Sequence, residues 1–264
     1  CSTRDRTVAL GDILTGLSHA LDMTEGHPRG HAARSCLIGM RLADILGVPE
    51  LQRPDLFYAL LLKDAGCSSN AARVHQLFGG AGHQEKRSVW LRDWRSLSQE
   101  SGYAYEYAGL GGSRWDRIAH LGNLAAAGTQ GRRQMFRIRC ERGASVALAL
   151  GLSEATAEAI RTMDEHWDGG GSPRGLRGAN IPLLGRIIRL AQVAEIFSHD
   201  RDASGALAVA ERRNGRWFDP DMVQAFRVLA GDTAFWDDVR SLDVHALVAA
   251  AEPPTDLGQR AAGQ

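Results

Sequence analysis

The spacing of apolar residues along the chain is helical almost throughout. Over residues 8–23, apolar side chains recur at steps of three and four and would share one helix face: Leu10, Ile13, Leu14, Leu17 and Leu21. Comparable patterns predict further helices at about 30–46, 51–65, 114–127, 131–150, 154–163, 183–198, 203–214, 220–229 and 244–250. Strand-like alternation of apolar and polar residues is nearly absent. The pattern therefore predicts an all-α helical bundle.

Local signals mark several helix ends. Gly47 follows the second helix and Pro49 lies just beyond it, a combination typical of a helix C-terminus. Ser153 is placed to cap the helix over 154–163, and Asp219 to cap the helix that begins at Pro220. The helix over 51–65 is apolar nearly all round, so we expect it to be the most buried.

Two stretches depart from regular helical spacing. Residues 68–112 contain short helical pieces broken by glycines, and DEHWDGGGSPRGLRGANIP at 164–182 is too rich in glycine and proline for helix or strand. We interpret about 68–130 as a helical insertion in a single domain over 1–252. The residues after it, 253–264, are typical of a linker.

Composition excludes several classes of partner. The 31 basic and 31 acidic residues balance, so no overall field would draw the chain to nucleic acid or to an anionic membrane. No apolar run approaches the roughly 20 residues that span a bilayer, and no signal peptide is evident. We expect a cytoplasmic protein with no membrane contact and no direct nucleic-acid binding. Its four cysteines form no CxxC pair and should be free thiols.

Three segments carry a resemblance to a known family: GHPRGHAARSC at 26–36, FYALLLKDAGC at 57–67 and DEHWDGGGSPRGLRGANIPLLGRIIRLAQVAEIF at 164–197. They resemble the HD-GYP proteins, a branch of the HD metal-dependent phosphohydrolases. The resemblance implies an HD-domain-like helical bundle over roughly 20–67 and 131–230. Members with every motif hydrolyse cyclic di-GMP at a site of two or three iron or manganese ions.

The family's metal ligands match this chain only in part. His31 matches a histidine that opens one helix, and Asp64 matches the aspartate of a His-Asp pair. Lys63 stands where the histidine of that pair is expected, and Cys67 replaces a lysine that follows it. Near Cys140, where the family has another histidine ligand, this chain has none.

The second half of the family pattern shows the same partial match. Asp164 follows Met163 at two positions where the family has histidines, while Glu165 matches the glutamate that comes next. Gln192 stands in place of one metal-binding aspartate and Glu195 in place of another. His27 fills a position that is often acidic in the family.

These exchanges predict a dismantled metal site. An ammonium group has no lone pair to offer a cation, and a glutamine offers only a neutral amide oxygen. We expect Lys63 and Asp64 to form an internal ion pair in place of an ion, with no cofactor. Our main hypothesis is a catalytically degenerate HD-GYP-like domain that acts as a regulatory, ligand-binding or interaction module. Its remnant site would comprise His31, Lys63, Asp64, Asp164, Gln192 and Glu195.

Two alternatives stay open. The first is a metal-dependent phosphodiesterase that acts on cyclic di-GMP or another nucleotide through a remodelled site. His27, His31, Asp64 and Asp164 would then hold a divalent iron, manganese or zinc ion. The second is a purely structural interaction domain with no small ligand.

The glycine-rich loop suggests a nucleotide or cyclic dinucleotide as ligand. Its glycines free backbone N–H groups, and the guanidinium groups of Arg174 and Arg177 suit phosphate. The resemblance adds Arg201 as a third phosphate contact and assigns Arg186 to anchoring the loop. A homodimer, or a fused or partner signalling domain, is the protein partner that we expect.

Overall fold

The described part of the chain is built from α-helices. The structure is a computed structural model that describes residues 10–25, 27–67 and 133–254, without the side chains of residues 24, 25, 200 and 201. Its α-helices are α1 (Leu10–Glu25), α2 (His31–Leu46), α3 (Arg53–Leu62), α4 (133–149), α5 (Glu154–Thr162), α6 (Leu183–Arg212), α7 (Pro220–Ala230), α8 (Thr233–Arg240) and α9 (Val244–Ala250). Within these described ranges, β-type pairing is limited to isolated bridges. The all-α prediction is confirmed.

Three predicted helix ends are confirmed by their hydrogen bonds. Gly47 adopts the left-handed conformation with a φ of 67°, and its N–H donates to the carbonyl of Asp44. The Ser153 hydroxyl accepts from the backbone N–H of Thr156 at 3.0 Å. Asp219 accepts from the backbone N–H of Asp221 at 2.9 Å. Each cap satisfies a backbone group that the helix itself leaves unpaired.

Two details differ from the sequence pattern. The helices predicted over 183–198 and 203–214 join into α6, which is interrupted only at Asp202, where φ is 69°. Helix α8 has no counterpart among the predicted helices. Its N-terminus does carry a local signal, because Asp232 caps it by accepting from the N–H of Phe235.

The core forms around α2 and α3. Helix α2 packs against α3 and α6, α5 packs against α3, and α7 packs against α6. Residues 56–62 of α3 are at most 1% exposed, as the apolar pattern of that helix predicts. This arrangement brings the start of α2, the turn after α3 and the middle of α6 to one place.

The predicted insertion at 68–130, with its helix over 114–127, lies outside the described residues. So do the tail beyond residue 254 and the side chain of Arg201.

A close backbone approach holds α4 against the turn after α3. A Cβ atom on Gly66 would overlap the carbonyl oxygen of Arg139 and would lie 2.7 Å from the amide nitrogen of Gly143. Neither backbone atom can rotate away, so this position requires glycine.

We therefore predict that Gly66→Ala lowers the free energy of unfolding by about 1–3 kcal/mol, the usual cost of overpacking a tight contact. Gly16→Ala in α1 is the matched control, because a Cβ atom there meets nothing within 4 Å. Urea unfolding of both variants measures the difference. Equal stability of the two variants would contradict the tight approach.

Candidate functional site

His31 is the central side chain of a buried polar cluster. It is the first residue of α2, where Gly30 turns the chain into the helix with a φ of 79°. The His31 Nδ1 atom is hydrogen-bonded to the Glu195 carboxylate of α6. The Nε group of Arg34 donates to the same carboxylate at 2.7 Å. The cluster thereby ties α2 to α6.

Lys63 and Asp64 complete the cluster from the turn after α3. The Lys63 Nζ atom lies 2.9 Å from His31 Nε2 and also donates to Asp64. The side chain of Lys63 is fully buried, and Asp64 is 2% exposed. The ion pair expected between these neighbours is present.

Both carboxylates of the cluster are held in the charged form. Burial by itself raises the pKa of Asp64, but the charge of Lys63 and its hydrogen bond outweigh it and leave the pKa well below its usual range. Burial likewise opposes ionisation of Glu195, while His31 and Arg34 lower its pKa to about 2. The cluster therefore stabilises negative charge on both sides of His31 at neutral pH.

His27 joins the cluster although it lies outside the helix. Its ring stacks on that of His31 with the centroids 4.2 Å apart. Burial lowers the pKa of His27 to about 3, so its imidazole is neutral under ordinary conditions. His27, His31 and Asp64 each offer one ligand atom, and these atoms lie within 4.8 Å of one another.

Asp164 belongs to a second cluster, held by arginines. One of its oxygens accepts from Arg139, and the other accepts from Arg189 at 3.3 Å. The Cys140 thiol donates to the same carboxylate at 3.4 Å. The metal ligands predicted from sequence thus fall into two groups: His27, His31 and Asp64 lie together, while Asp164 is engaged by two guanidinium groups.

Gln192 is the least satisfied side chain of the site. It is fully buried and lies midway between Arg189 and Glu195 in α6, three residues from each, so the three side chains share one helix face. Neither polar atom of its amide has a hydrogen-bond partner among the described residues. A buried amide without partners is costly, which makes this position a candidate contact for a bound molecule.

The glycine-rich loop folds around Glu165. The Glu165 carboxylate accepts three backbone N–H groups, from Arg174 at 2.7 Å, Gly175 at 3.2 Å and Leu176 at 3.0 Å. Burial raises the pKa of Glu165, and these three hydrogen bonds oppose that effect. Three backbone N–H groups of the loop are therefore bound to the Glu165 carboxylate of the protein itself.

The arginines predicted to meet phosphate lie at the surface where they are described. The Arg174 guanidinium forms a bidentate ion pair with the Glu158 carboxylate, with N–O distances of 2.7 and 3.0 Å. Arg177 is exposed. Arg186 lies over the Trp167 ring and pairs with Asp219, which matches the anchoring role expected of it. Phosphate contacts by Arg174, Arg177 and Arg201 stay a prediction.

The sequence pattern did not indicate the cations that hold these carboxylates. Arg34 lies three residues after His31 in α2, and Arg189 lies three residues before Gln192 in α6. Those spacings were the available signals, since they place each arginine on the same face as a predicted site residue.

No helix in the described ranges has both the length and the apolar character needed to cross a membrane.

The depressed pKa of Glu195 predicts a stability change in acid. A carboxyl group whose pKa falls from 4.5 to about 2 on folding stabilises the fold above its unfolded pKa, and this is lost as the pH drops from about 4.5 towards 2. Glu195→Gln should cost roughly 3 kcal/mol at pH 7, at about 1.4 kcal/mol per pKa unit. The deficit should shrink as the pH falls from 5 to 3.

Chemical unfolding of both proteins at several pH values measures this. Glu211→Gln is the control, because the ion pair of Glu211 with Arg227 is exposed and should contribute little. A deficit for Glu195→Gln that is the same at every pH would count against the charged cluster.

Comparisons with known proteins agree with the helical architecture. The HD domain family profile matches residues 116–222. Over 92% of its length the chain is 37% identical to the 3'3'-cGAMP-specific phosphodiesterase 3 of Vibrio cholerae serotype O1, of which it covers 53%. A shorter match, over 26% of the chain, is 33% identical to a cyclic di-GMP phosphodiesterase of Thermotoga maritima, of which it covers 21%.

A solved structure gives the same result for the fold. The crystal structure of a cyclic GMP-AMP-specific phosphodiesterase of V. cholerae matches with a TM-score of 0.71 and 35% identity, covering 95% of this chain and 55% of that one. The chain spans about half the length of the V. cholerae relative and of the solved structure that it matches. The chain therefore has an HD-domain-like helical fold, and these likenesses support its place in the HD superfamily.

Proposed function

We propose that this chain is part of a cyclic-dinucleotide phosphodiesterase. The observation that carries the proposal is the 37% identity, over nearly the whole chain, to a protein described as a 3'3'-cGAMP-specific phosphodiesterase. The comparisons thus support the phosphodiesterase alternative better than the degenerate regulatory module that we took as our main hypothesis. In this reaction, water adds across one P–O ester bond of the ring and yields a linear dinucleotide with a terminal phosphate.

The described site supplies part of the chemistry that such a reaction requires. HD domains are metal-dependent phosphohydrolases, and a bound metal supplies the activated water. His27, His31 and Asp64 are the residues grouped closely enough to hold an ion. They do not fit one while Lys63 stays in place, because its ammonium engages both His31 Nε2 and Asp64. We therefore derive no catalytic step through a metal at this position.

A second candidate function is recognition of a cyclic dinucleotide without hydrolysis. The buried contacts of Lys63 with His31 and Asp64 favour it, since they replace metal–ligand contacts by hydrogen bonds within the protein. The unpartnered amide of Gln192 supplies a donor and an acceptor that could read a nucleobase edge or a phosphate oxygen. Such a domain would regulate or assist a hydrolytic unit.

The two candidates predict different results with the purified chain. The first candidate predicts that 3'3'-cGAMP or cyclic di-GMP, incubated with Mn²⁺ or Fe²⁺, is converted to the linear dinucleotide, as read by liquid chromatography. Asp64→Asn should then reduce the rate by roughly 10- to 100-fold, the scale of losing a group that orients a site, because Asp64 accepts from Lys63 and lies 3.8 Å from His31. Arg41→Ala, at an exposed ion pair with Asp232, is the control and should keep the wild-type rate.

Calorimetric titration of the same protein separates the remaining outcomes. Binding of either cyclic dinucleotide without turnover would replace the first candidate by the second. Neither binding nor turnover would leave the structural interaction domain as the remaining hypothesis.

A further inference from the structure

The Lys63 ammonium occupies the position of a cation between potential metal ligands. His31 Nε2 and Asp64 Oδ2 lie 3.8 Å apart, and the Lys63 Nζ atom is within hydrogen-bonding distance of both. The Lys63 side chain has no exposed surface, so this contact is not one of several positions sampled in solvent. Two of the three groups that could hold an ion here are already engaged by a positive charge.

The contact between Lys63 and His31 uses the lone pair of His31 that would otherwise bind a metal. An ammonium group carries hydrogens and no lone pair, so His31 Nε2 must be the acceptor in its contact with Lys63. The remaining hydrogen of a neutral His31 ring then sits on Nδ1 and is donated to Glu195. The Nε2 lone pair and the Asp64 oxygen that would bind a metal are therefore both used by the protein.

The charged groups that contact one another in the cluster balance without an ion, and the remaining buried carboxyl beside them in the described part of the chain is Asp22, whose pKa is raised by burial. Lys63 and Arg34 are positive, Asp64 and Glu195 are negative, and each charged group contacts an opposite one. On the same face of α6, Gln192 is a neutral amide rather than a third carboxylate. A divalent ion added to this buried set would leave two uncompensated positive charges, which is costly in a site of low polarity.

We infer that Lys63 is the resident cation of this site and replaces a metal ion in holding His31 and Asp64 together. The inference rests on the proposed function, favours its second candidate, recognition without hydrolysis, and names the cation of the site. Its test reads metal content and stability instead of turnover, so failure of this inference is distinguishable from failure of the phosphodiesterase proposal.

An ordinary buried ion pair is the competing explanation. Replacing such a pair by neutral side chains is often tolerated, and removing the ammonium would simply leave Asp64 unpaired. A resident cation predicts something more: a variant without the ammonium should acquire affinity for a divalent ion, because the ligands around it are already assembled.

The experiment measures bound metal in the purified chain after incubation with Mn²⁺ and extensive dialysis. We expect wild type to retain far less than one ion per chain, and Lys63→His to retain about one, since a neutral imidazole offers the lone pair that lysine lacks. Excess Mn²⁺ should raise the Tm of Lys63→His by roughly 5–10 °C, as expected for tight binding to the folded state. Chelation with EDTA should reverse that shift.

Three further proteins serve as controls. Lys63→Met should also gain a stabilising response to Mn²⁺, because it removes the ammonium at similar volume. Lys63→Met/Asp64→Asn should fold and bind no metal, because it removes both charges. Arg41→Met removes an exposed positive charge and should resemble wild type.

Two results would overturn the inference. One is a wild-type chain that retains about one ion of Mn²⁺ and loses it in Asp64→Asn, because a lysine that keeps a metal out cannot coexist with such binding. The other is folded Lys63→His and Lys63→Met chains that show no gain in metal affinity. Should neither variant fold, with or without Mn²⁺, the wild-type metal content alone decides.

Discussion

The contact of Lys63 with Asp64 and His31 is the constraint on which the site depends. A fully buried ammonium is tolerated in a protein interior only where acceptors surround it, and here one comes from α2 and one from the turn after α3. His31 connects this contact to α6, because its Nδ1 atom is hydrogen-bonded to Glu195. The start of α2, the end of α3 and the middle of α6 are thus held together by one hydrogen-bonded chain of side chains.

The second cluster follows the same physical rule. Asp164 stands beside the glycine-rich loop, and two arginines from α4 and α6 neutralise its carboxylate. Glu165, its neighbour, is satisfied by backbone N–H groups of the loop. In both clusters the carboxylates that could bind a cation are already paired with side chains or backbone N–H groups of the protein.

The similarity to cyclic-dinucleotide phosphodiesterases covers the fold of this chain more fully than its cation position. The likeness extends over nearly the whole chain, but the chain covers only about half of those relatives. The fold therefore matches that of these relatives, while the cation position is occupied by a side chain. Gln192, buried and unpartnered among the described residues, is the feature of the site that the internal contacts leave unexplained and that a bound molecule would satisfy.

Much of this protein was predictable from sequence because it rests on local chemistry. Apolar spacing located most of the described helices, and Gly47, Ser153 and Asp219 marked their ends, since capping depends on neighbours in the chain. The short helix α8 was not predicted, although Asp232 caps its N-terminus. The sequence alone predicted the ion pair of Lys63 with Asp64, because these residues are adjacent in the chain and opposite in charge. Only the tertiary structure decided that Arg34 and His31 share Glu195 and that Arg139 and Arg189 share Asp164. It also decided that His27, in the connection between α1 and α2, stacks on His31. Those contacts depend on how helices pack, and no local pattern encodes which side chains that packing brings together.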